Sequence, residues 1–407
     1  MLQPLVINAF VGIAGLLAFL AIFYLSPVRK SRLWTITVTP LASIIGSGFL
    51  VAAPLLYVNF GDLALPAMVL INLFAFAVGD TIRTNIRCFD NQQEKFARET
   101  PLLISLEHLS GLALGVSYII SIAFYISLLS GFALEAFRLY NGLGIRVMST
   151  LILAYIGLTG YRGGLHGMER LEKIAVNLKM SIIGGLILVL IAYNLEFDGR
   201  TLTFPEPDLG WYSLRILGGM LLITQGFETV KYLGGEYAPE PRVKAMVLAQ
   251  IIAAVVYVIF VPLVAVLVPG VEITNETAIM KIAGKAAYGM GTMLAIGAMF
   301  SQFGASVADT VGTGGLLEAE TKGRLPRRRA YVLVTIVAIL LIWAYDVYGV
   351  LTLASRAFAL YYGLQTLIAI GAVWAQPPSI GRTVRLILYP FLAVALFFIT
   401  IAAIPAH

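Results

Sequence analysis

Long apolar stretches follow one another along the chain, and short segments rich in charged residues, Gly or Pro separate them. Because about 20 apolar residues cross a bilayer as a helix, these stretches have the length of transmembrane helices. They are continuous, whereas a membrane β-barrel requires alternating apolar and polar positions. The pattern predicts an all-α polytopic membrane protein with about twelve transmembrane helices. They cover residues 4–26, 35–58, 63–82, 104–136, 144–160, 172–194, 212–236, 243–268, 287–313, 329–345, 348–375 and 383–404.

The composition supports this prediction and excludes a water-soluble protein. Of the 407 residues, 59% are hydrophobic and only 12% are charged, whereas an average soluble domain has about 25% charged residues. One water-soluble core cannot bury that much apolar surface. Cys88 is the only cysteine, which excludes an internal disulfide, and the three histidines are dispersed. We therefore expect no metal site and no cofactor.

Lysine and arginine are distributed unevenly between the loops. Twenty of the 28 lie in one set of alternate loops, six lie in the other set, and Lys179 and Arg356 fall inside predicted helices. Because basic residues mark cytoplasmic loops, the first set is predicted to be cytoplasmic and both termini to lie on the other side of the membrane. The net charge of +6 is thus explained by topology, and we expect a lipid bilayer and no nucleic acid as partner.

Two of the predicted helices contain helix-breaking residues near their centres. Gly46, Ser47 and Gly48 interrupt the second helix, and residues 225–228 (Gln-Gly-Phe-Glu) interrupt the seventh at a comparable depth. Unwound backbone is tolerated inside a membrane only where it lines a cavity or is buried in protein. A matched pair of interrupted helices is typical of transporters with inverted repeats. The alternative is that Gly-Ser-Gly forms a small-residue packing face between continuous helices.

Four motifs around these positions resemble the amino acid–polyamine–organocation (APC) superfamily of transporters, and they occur in the same order. The motifs are Ile-Ile-Gly-Ser-Gly at 44–48 followed by Pro54, Asn-Leu-Lys at 177–179, Gly-Phe-Glu at 226–228 followed by Gly-Glu-Tyr-Ala-Pro-Glu-Pro-Arg at 235–242, and Gly-Arg-Leu-Pro at 323–326. The chain departs from the family pattern in having Thr224 and Gln225 where many members have aromatic residues. It also has a Gly-rich stretch, residues 312–315, where an arginine is common.

The resemblance implies a LeuT-type fold with a five-plus-five inverted repeat. The ten-helix core would then cover residues 35–375, with repeat one at 35–194 and repeat two at 212–375. An extra N-terminal helix with a basic cytoplasmic loop would occupy residues 1–34, and a further C-terminal helix residues 376–407. The implied activity is secondary active transport of an amino acid or related small amine by alternating access.

The two interruptions would form a substrate site made largely of backbone. The half-helix after the first break presents unpaired N–H groups and a positive dipole end, which suit a carboxylate. The second break exposes carbonyls, which suit an ammonium group. A zwitterionic substrate would thus be held at both ends. Through the resemblance, the predicted substrate-binding residues are Ile44, Gly46, Ser47, Gly48, Thr224, Gln225, Gly226 and Phe227, with Phe227 either a lid or an ordinary packed aromatic.

Lys179 is the candidate for ion coupling. A lysine inside a membrane is costly and usually functional, and desolvation favours its neutral form, so it can load and lose a proton. In sodium-coupled relatives the corresponding space holds Na⁺, so the resemblance implies proton coupling or Na⁺-independent exchange. The alternatives are that Lys179 snorkels to the cytoplasmic surface, or that Ser301, Ser306 and Thr310 complete a sodium site. Asp309 beside them is a candidate lysine partner or proton acceptor.

Two further residues are expected to have structural roles. Glu228 follows the second break and is predicted to brace neighbouring helices, with Arg356 as its counter-charge. An intramembrane enzyme is disfavoured because the chain lacks the metal-binding and nucleophile motifs of such enzymes. A transport-inactive sensor or scaffold remains an alternative. The expected location is the plasma membrane of a bacterium or archaeon.

Overall fold

The computed structural model describes residues 2–25, 31–46, 48–163, 166–196, 204, 206, 210–233, 237–269 and 277–404. Within these ranges the chain forms α-helices and short 3-10 helices, and no β-strand. The α-helices are α1 Leu2–Leu25, α2 Arg32–Ile44, α3 Gly48–Phe60, α4 Ala64–Glu99, α5 Pro101–Ala136, α6 Gly142–Gly163, α7 His166–Leu195, α8 Trp211–Gly219, α9 Pro239–Ala265, α10 Ala278–Ala286, α11 Met290–Glu320, α12 Arg327–Ala344, α13 Val347–Trp374 and α14 Ile380–Ala402. The predicted all-α class is confirmed.

Nine segments of the described chain are long and apolar enough to cross a membrane. The chain is therefore a membrane protein with transmembrane helices, as the apolar pattern predicts. The nine segments are Leu5–Ile22, Val51–Cys88, Pro101–Ala136, Gly142–Arg162, Asn177–Leu195, Pro239–Ala265, Met290–Glu318, Val347–Trp374 and Ile380–Ala402.

Three of the twelve predicted runs do not form a continuous apolar span of this kind. The runs 35–58 and 212–236 are both interrupted by non-helical backbone. The run 329–345 becomes α12, whose 18 residues begin with three arginines, so its apolar part is shorter than a bilayer-spanning helix. The structure also contains the short helix α10, which the apolar pattern did not predict. The count of twelve spans and the five-plus-five repeat remain predictions.

The central helix is α5, which packs along both α11 and α13. On α11 the Gly-rich stretch 312–315 remains helical. A side chain at Gly314 would meet the ring of Tyr331 on α12, because a Cβ there would lie 2.2 Å from a ring carbon. Glycine at this position thus allows α11 and α12 to pack closely.

The first helix, α1, packs along α7 through glycines on both helices. A Cβ on Gly185 would lie 2.8 Å from the carbonyl oxygen of Gly12, so the two backbones are in direct contact. Such small-residue contacts are a common way for membrane helices to associate. Since α7 also contains Lys179, α1 supports the helix that carries the predicted coupling residue.

The last helix, α14, is held at both ends by arginines. Near its start, Arg385 donates two hydrogen bonds to the carboxylate of Asp80 on α4, at 2.9 and 3.3 Å, and Tyr389 donates a third at 2.7 Å. At its end, the Nε of Arg215 on α8 donates to the carbonyl of Ala402 at 2.7 Å. These bonds attach α14 to both α4 and α8.

We expect Asp80→Asn to destabilise the protein by about 1–3 kcal/mol, because hydrogen bonds to a charged group contribute about that much when they are partly buried. The side chains of Asp80 and Arg385 are 25% and 31% exposed. Glu240→Gln is the matched control, since its ion pair with Arg87 is more exposed, at 59% and 42%, and exposed pairs contribute little. Thermal unfolding of the purified variants checks this, and equal melting temperatures for Asp80→Asn and the control would contradict it.

Candidate functional site

The first predicted interruption is present in the structure. The α-helix α2 ends at Ile44, and α3 begins at Gly48. The Ile45 amide makes the last helical bond of α2, to the carbonyl of Leu41 at 3.0 Å. Ile44, Gly46 and Gly48 are all buried. Ser47, the fourth residue predicted for this part of the site, lies outside the described residues.

The second predicted interruption is also present and is longer than the first. After α8 the chain forms a 3-10 helix over Leu221–Thr224, leaves helical geometry at Gln225 and Gly226, and forms a second 3-10 helix over Phe227–Leu233. Gly226 has φ +118°, a conformation that residues with a side chain rarely adopt. The glycine in the Gln-Gly-Phe-Glu motif is therefore required by the backbone.

The two interruptions touch each other through their backbones. A Cβ added to Gly48 would lie 2.6 Å from the Cα of Ile223, and one added to Gly226 would lie 2.8 Å from the amide nitrogen of Ile44. Neither backbone atom can move aside as a flexible side chain would. The glycines of the two motifs are thus the residues that allow the two broken helices to meet.

Lys179 on α7 reaches this junction from one side. Its side chain is buried, and its Nζ donates a hydrogen bond of 2.5 Å to the carbonyl of Ala42, in the last turn of α2. The carbonyls of a last helical turn lack backbone partners, and a cation is favoured at this end of the helix dipole. In this conformation the Lys179 ammonium thus binds the end of α2 and does not reach the surface of the protein.

A small cavity of about 30 Å³ surrounds the lysine, enough for roughly two water molecules. It is bounded by the end of α2, by α7, by Thr229 after the second interruption and by α11. Its lining residues are Thr39, Ala42, Ser43, Lys179, Thr229, Ser301, Gly304, Ala305, Ala308 and Asp309. The predicted coupling residues Lys179 and Asp309 therefore face the same cavity.

Of the three predicted sodium-site hydroxyls, that of Ser301 lines this cavity and those of Ser306 and Thr310 do not. Ser306 and Thr310 are fully buried, and each donates to the carbonyl four residues earlier on α11, at 2.8 and 2.7 Å. The Ser301 hydroxyl has no hydrogen-bond partner within the described part of the chain. On α11, the polar groups that reach the cavity are thus Ser301 and Asp309.

The residues of the second interruption make specific contacts. Gln225 donates from Nε2 to the hydroxyl of Tyr125 on α5 at 2.6 Å. Thr224 is buried, and its hydroxyl lies 3.5 Å from the carbonyl of Leu221. Phe227 is buried and stacks on Tyr362, with ring centroids 5.1 Å apart. In this conformation Phe227 is a packed aromatic and does not line the cavity.

Glu228 is fully buried and links the second interruption to α13. Its Oε2 accepts hydrogen bonds from the amide of Gly226 and from the hydroxyl of Tyr362, each at 2.8 Å. Its predicted bracing role agrees with these contacts. The predicted counter-charge is wrong, because Arg356 donates from Nε to the carbonyl of Ala403 at 2.9 Å. Arg356 thus helps to hold the end of α14, whose last carbonyls lack helical partners.

A buried polar network beyond Glu228 was not predicted from the sequence. Lys231 lies in the second 3-10 helix and pairs with Glu107 on α5. It also donates to the side chain of Gln365 on α13 at 2.9 Å, and Gln365 donates to Glu107 at 3.0 Å. Asn85 on α4 completes the network with a bond of 2.7 Å to Gln365. In the sequence, the only indication of this network is a lysine close to the second interruption.

Tyr257 on α9 was also missed, and it lies at the junction itself. Its hydroxyl is 2.6 Å from the carbonyl of Ile223 and 3.1 Å from the carbonyl of Ile44. The sequence shows only a tyrosine within an apolar run, which does not reveal what its hydroxyl contacts. No group of three His, Cys, Asp or Glu side chains suited to a metal ion occurs in the part of the chain that the structure describes.

Comparison with known proteins agrees with these features. A family model described as an APC superfamily transporter matches residues 26–403. This range contains both interruptions and Lys179, and it starts just after α1. An uncharacterized protein of Aquifex aeolicus (strain VF5) is 44% identical over 363 residues, which cover 86% of this chain and 86% of that protein.

Proposed function

Since the chain belongs to the APC superfamily of transporters, we propose that it is a secondary active transporter that moves an amino acid or related small amine by alternating access. The observation that supports this most is the junction of two interrupted helices beside a cavity that contains Lys179. Interrupted helices that meet at membrane depth are the usual binding element of such carriers.

The proposed substrate is zwitterionic, and the two breaks would bind its two ends. The amides at the start of α3 would bind the carboxylate, because a helix N-terminus favours an anion. The carbonyls near Gln225 would bind the ammonium group. Ile44, Gly46, Ser47, Gly48, Thr224, Gln225, Gly226 and Phe227 are the proposed substrate-binding residues.

The carrier must open before it can bind its substrate. The cavity beside Lys179 holds only about 30 Å³, which is far too small for an amino acid. We propose that α2 with α3, α4, α8 with its two 3-10 helices, and α9 move together against the remaining helices. Both termini would lie outside the cytoplasm, in the plasma membrane of a bacterium or archaeon.

The proposed coupling ion is the proton, carried by Lys179, and the alternative is Na⁺-independent exchange. The Lys179 ammonium already donates a hydrogen bond to the carbonyl of Ala42, so a sodium ion that binds this carbonyl would have to displace the ammonium group. Asp309 lines the same cavity and is the proposed proton acceptor. Sodium symport is the second candidate, because the Ser301 hydroxyl lines the cavity and is available to an ion, whereas Ser306 and Thr310 do not line it.

Uptake by the purified protein in liposomes tests this proposal. We expect a pH gradient without Na⁺ to drive accumulation of at least one member of a panel of amino acids and small amines, and a protonophore to abolish it. Accumulation that requires a Na⁺ gradient would select the symport alternative. Failure of every substrate to enter or exchange, with either gradient, would favour a transport-inactive sensor or scaffold, or an intramembrane enzyme, and would contradict the proposal.

A further inference from the structure

Tyr257 contacts both interruptions at the same point. It lies within α9 and is fully buried, and its ring packs edge-on against Phe49, the second residue of α3, with centroids 5.6 Å apart. Its hydroxyl reaches the carbonyls of Ile223 and Ile44, at 2.6 and 3.1 Å. One side chain thus contacts α2, α3 and the 3-10 helix that precedes the second break.

These two carbonyls need an external donor. Ile44 ends α2, so its carbonyl has no helical partner. The 3-10 helix that contains Ile223 would continue with a bond from the amide of Gly226 to the Ile223 carbonyl. That amide donates to Glu228 Oε2 instead. A buried carbonyl without a partner is costly, and the Tyr257 hydroxyl supplies the missing donor.

A single hydroxyl proton serves both carbonyls. A tyrosine hydroxyl can donate only one hydrogen bond at a time, so the two contacts share it. The shorter distance identifies Ile223 as the main acceptor. Because the backbones of Gly48 and Ile223 also touch, a movement of one interruption relative to the other breaks or strains this shared bond.

We infer that Tyr257 is a positioning residue that fixes the two interruptions relative to each other. This inference rests on the proposed function, in which the start of α3 and the backbone near Gln225 bind opposite ends of the substrate. The distance between these two groups then sets how well a zwitterion fits. Tyr257 does not line the cavity beside Lys179, so it acts on the substrate through the backbone.

Tyr257→Phe isolates the hydroxyl, because the ring and its packing against Phe49 are retained. Tyr331→Phe is the matched control: Tyr331 is also buried, but its hydroxyl has no hydrogen-bond partner within the described residues. Both variants remove one buried oxygen from a tyrosine. They differ in whether that oxygen connects the interruptions.

Hydrogen exchange measured on the full-length protein in nanodiscs tests the inference without any substrate. We expect Tyr257→Phe to accelerate amide exchange about tenfold in both segments 41–50 and 219–229, which corresponds to the net value of about one hydrogen bond. Tyr331→Phe should accelerate exchange in neither. Unchanged exchange in Tyr257→Phe, or a change in only one of the two segments, would overturn the inference.

Uptake kinetics supply the second readout. We expect Tyr257→Phe to raise KM about tenfold and to leave kcat within about twofold, because the substrate must restore the arrangement when it binds. A lower melting temperature with an unchanged KM would mean a purely structural role and would also overturn the inference. If the wild-type protein transports nothing, the proposed function fails, while the exchange comparison still decides the role of Tyr257.

Discussion

Lys179→Ala is expected to abolish accumulation driven by a pH gradient while the protein still folds. A pH difference of about one unit supplies about 1.4 kcal/mol per proton, and this free energy corresponds to a factor of ten in concentration. One proton per substrate therefore supports up to about tenfold accumulation. Without the Lys179 ammonium at the carbonyl of Ala42, no proton would move with the substrate at this position. The ratio of internal to external substrate concentration should then fall to about one. Uptake into liposomes with and without a protonophore measures this ratio.

The fold should survive this substitution because Ala42 lines the cavity. A water molecule there can donate a hydrogen bond to the Ala42 carbonyl in place of the lysine. Lys285→Ala is the matched control. Lys285 on α10 also donates to backbone carbonyls, those of Leu267 and Pro269 at 3.3 and 3.1 Å, but it does not line the cavity. We expect Lys285→Ala to retain accumulation. A Lys179→Ala protein with the accumulation ratio of the wild type would contradict proton coupling through this residue.

Both interruptions were predictable from the sequence because their causes are local. Gly46 and Gly48 break an apolar run near its centre, and Gly226 does the same before an acidic residue. Glycine weakens a helix wherever it stands, and an acid at membrane depth demands a polar environment. The burial of Lys179 was predictable for the same reason, from its distance to the nearest end of its run.

The partners of these residues were not predictable, because they depend on how distant helices pack. Arg356 was predicted to be the counter-charge of Glu228 on charge alone, but it donates a hydrogen bond to the carbonyl of Ala403 at the end of α14. Tyr257 looked like any tyrosine in an apolar run. Ser301, Ser306 and Thr310 were predicted together, but only Ser301 lines the cavity, because the sequence does not show which face of α11 meets it.

The second large effect is expected at Gly226, where alanine should abolish transport and destabilise the protein. An alanine at φ +118° is strained, at a cost of about 1–3 kcal/mol. Its Cβ would also lie 2.8 Å from the amide nitrogen of Ile44 and 2.4 Å from the Ser43 hydroxyl, and overpacking adds about 1–3 kcal/mol. Ser43 can rotate away, but the backbone of Ile44 cannot. The two interruptions would have to separate, which would destroy the proposed substrate site.

Gly289→Ala distinguishes these two costs. Gly289 also has a positive φ, +74°, but a Cβ there would meet no atom within 4 Å, so this variant should have only the conformational cost of about 1–2 kcal/mol. We expect it to keep its uptake and to unfold only slightly earlier than the wild type. Gly226→Ala should unfold several degrees lower than Gly289→Ala and should show no uptake. If the two variants matched in melting temperature and uptake, close backbone contact between the interruptions would not be essential, and the proposed binding site would lose its main geometric support.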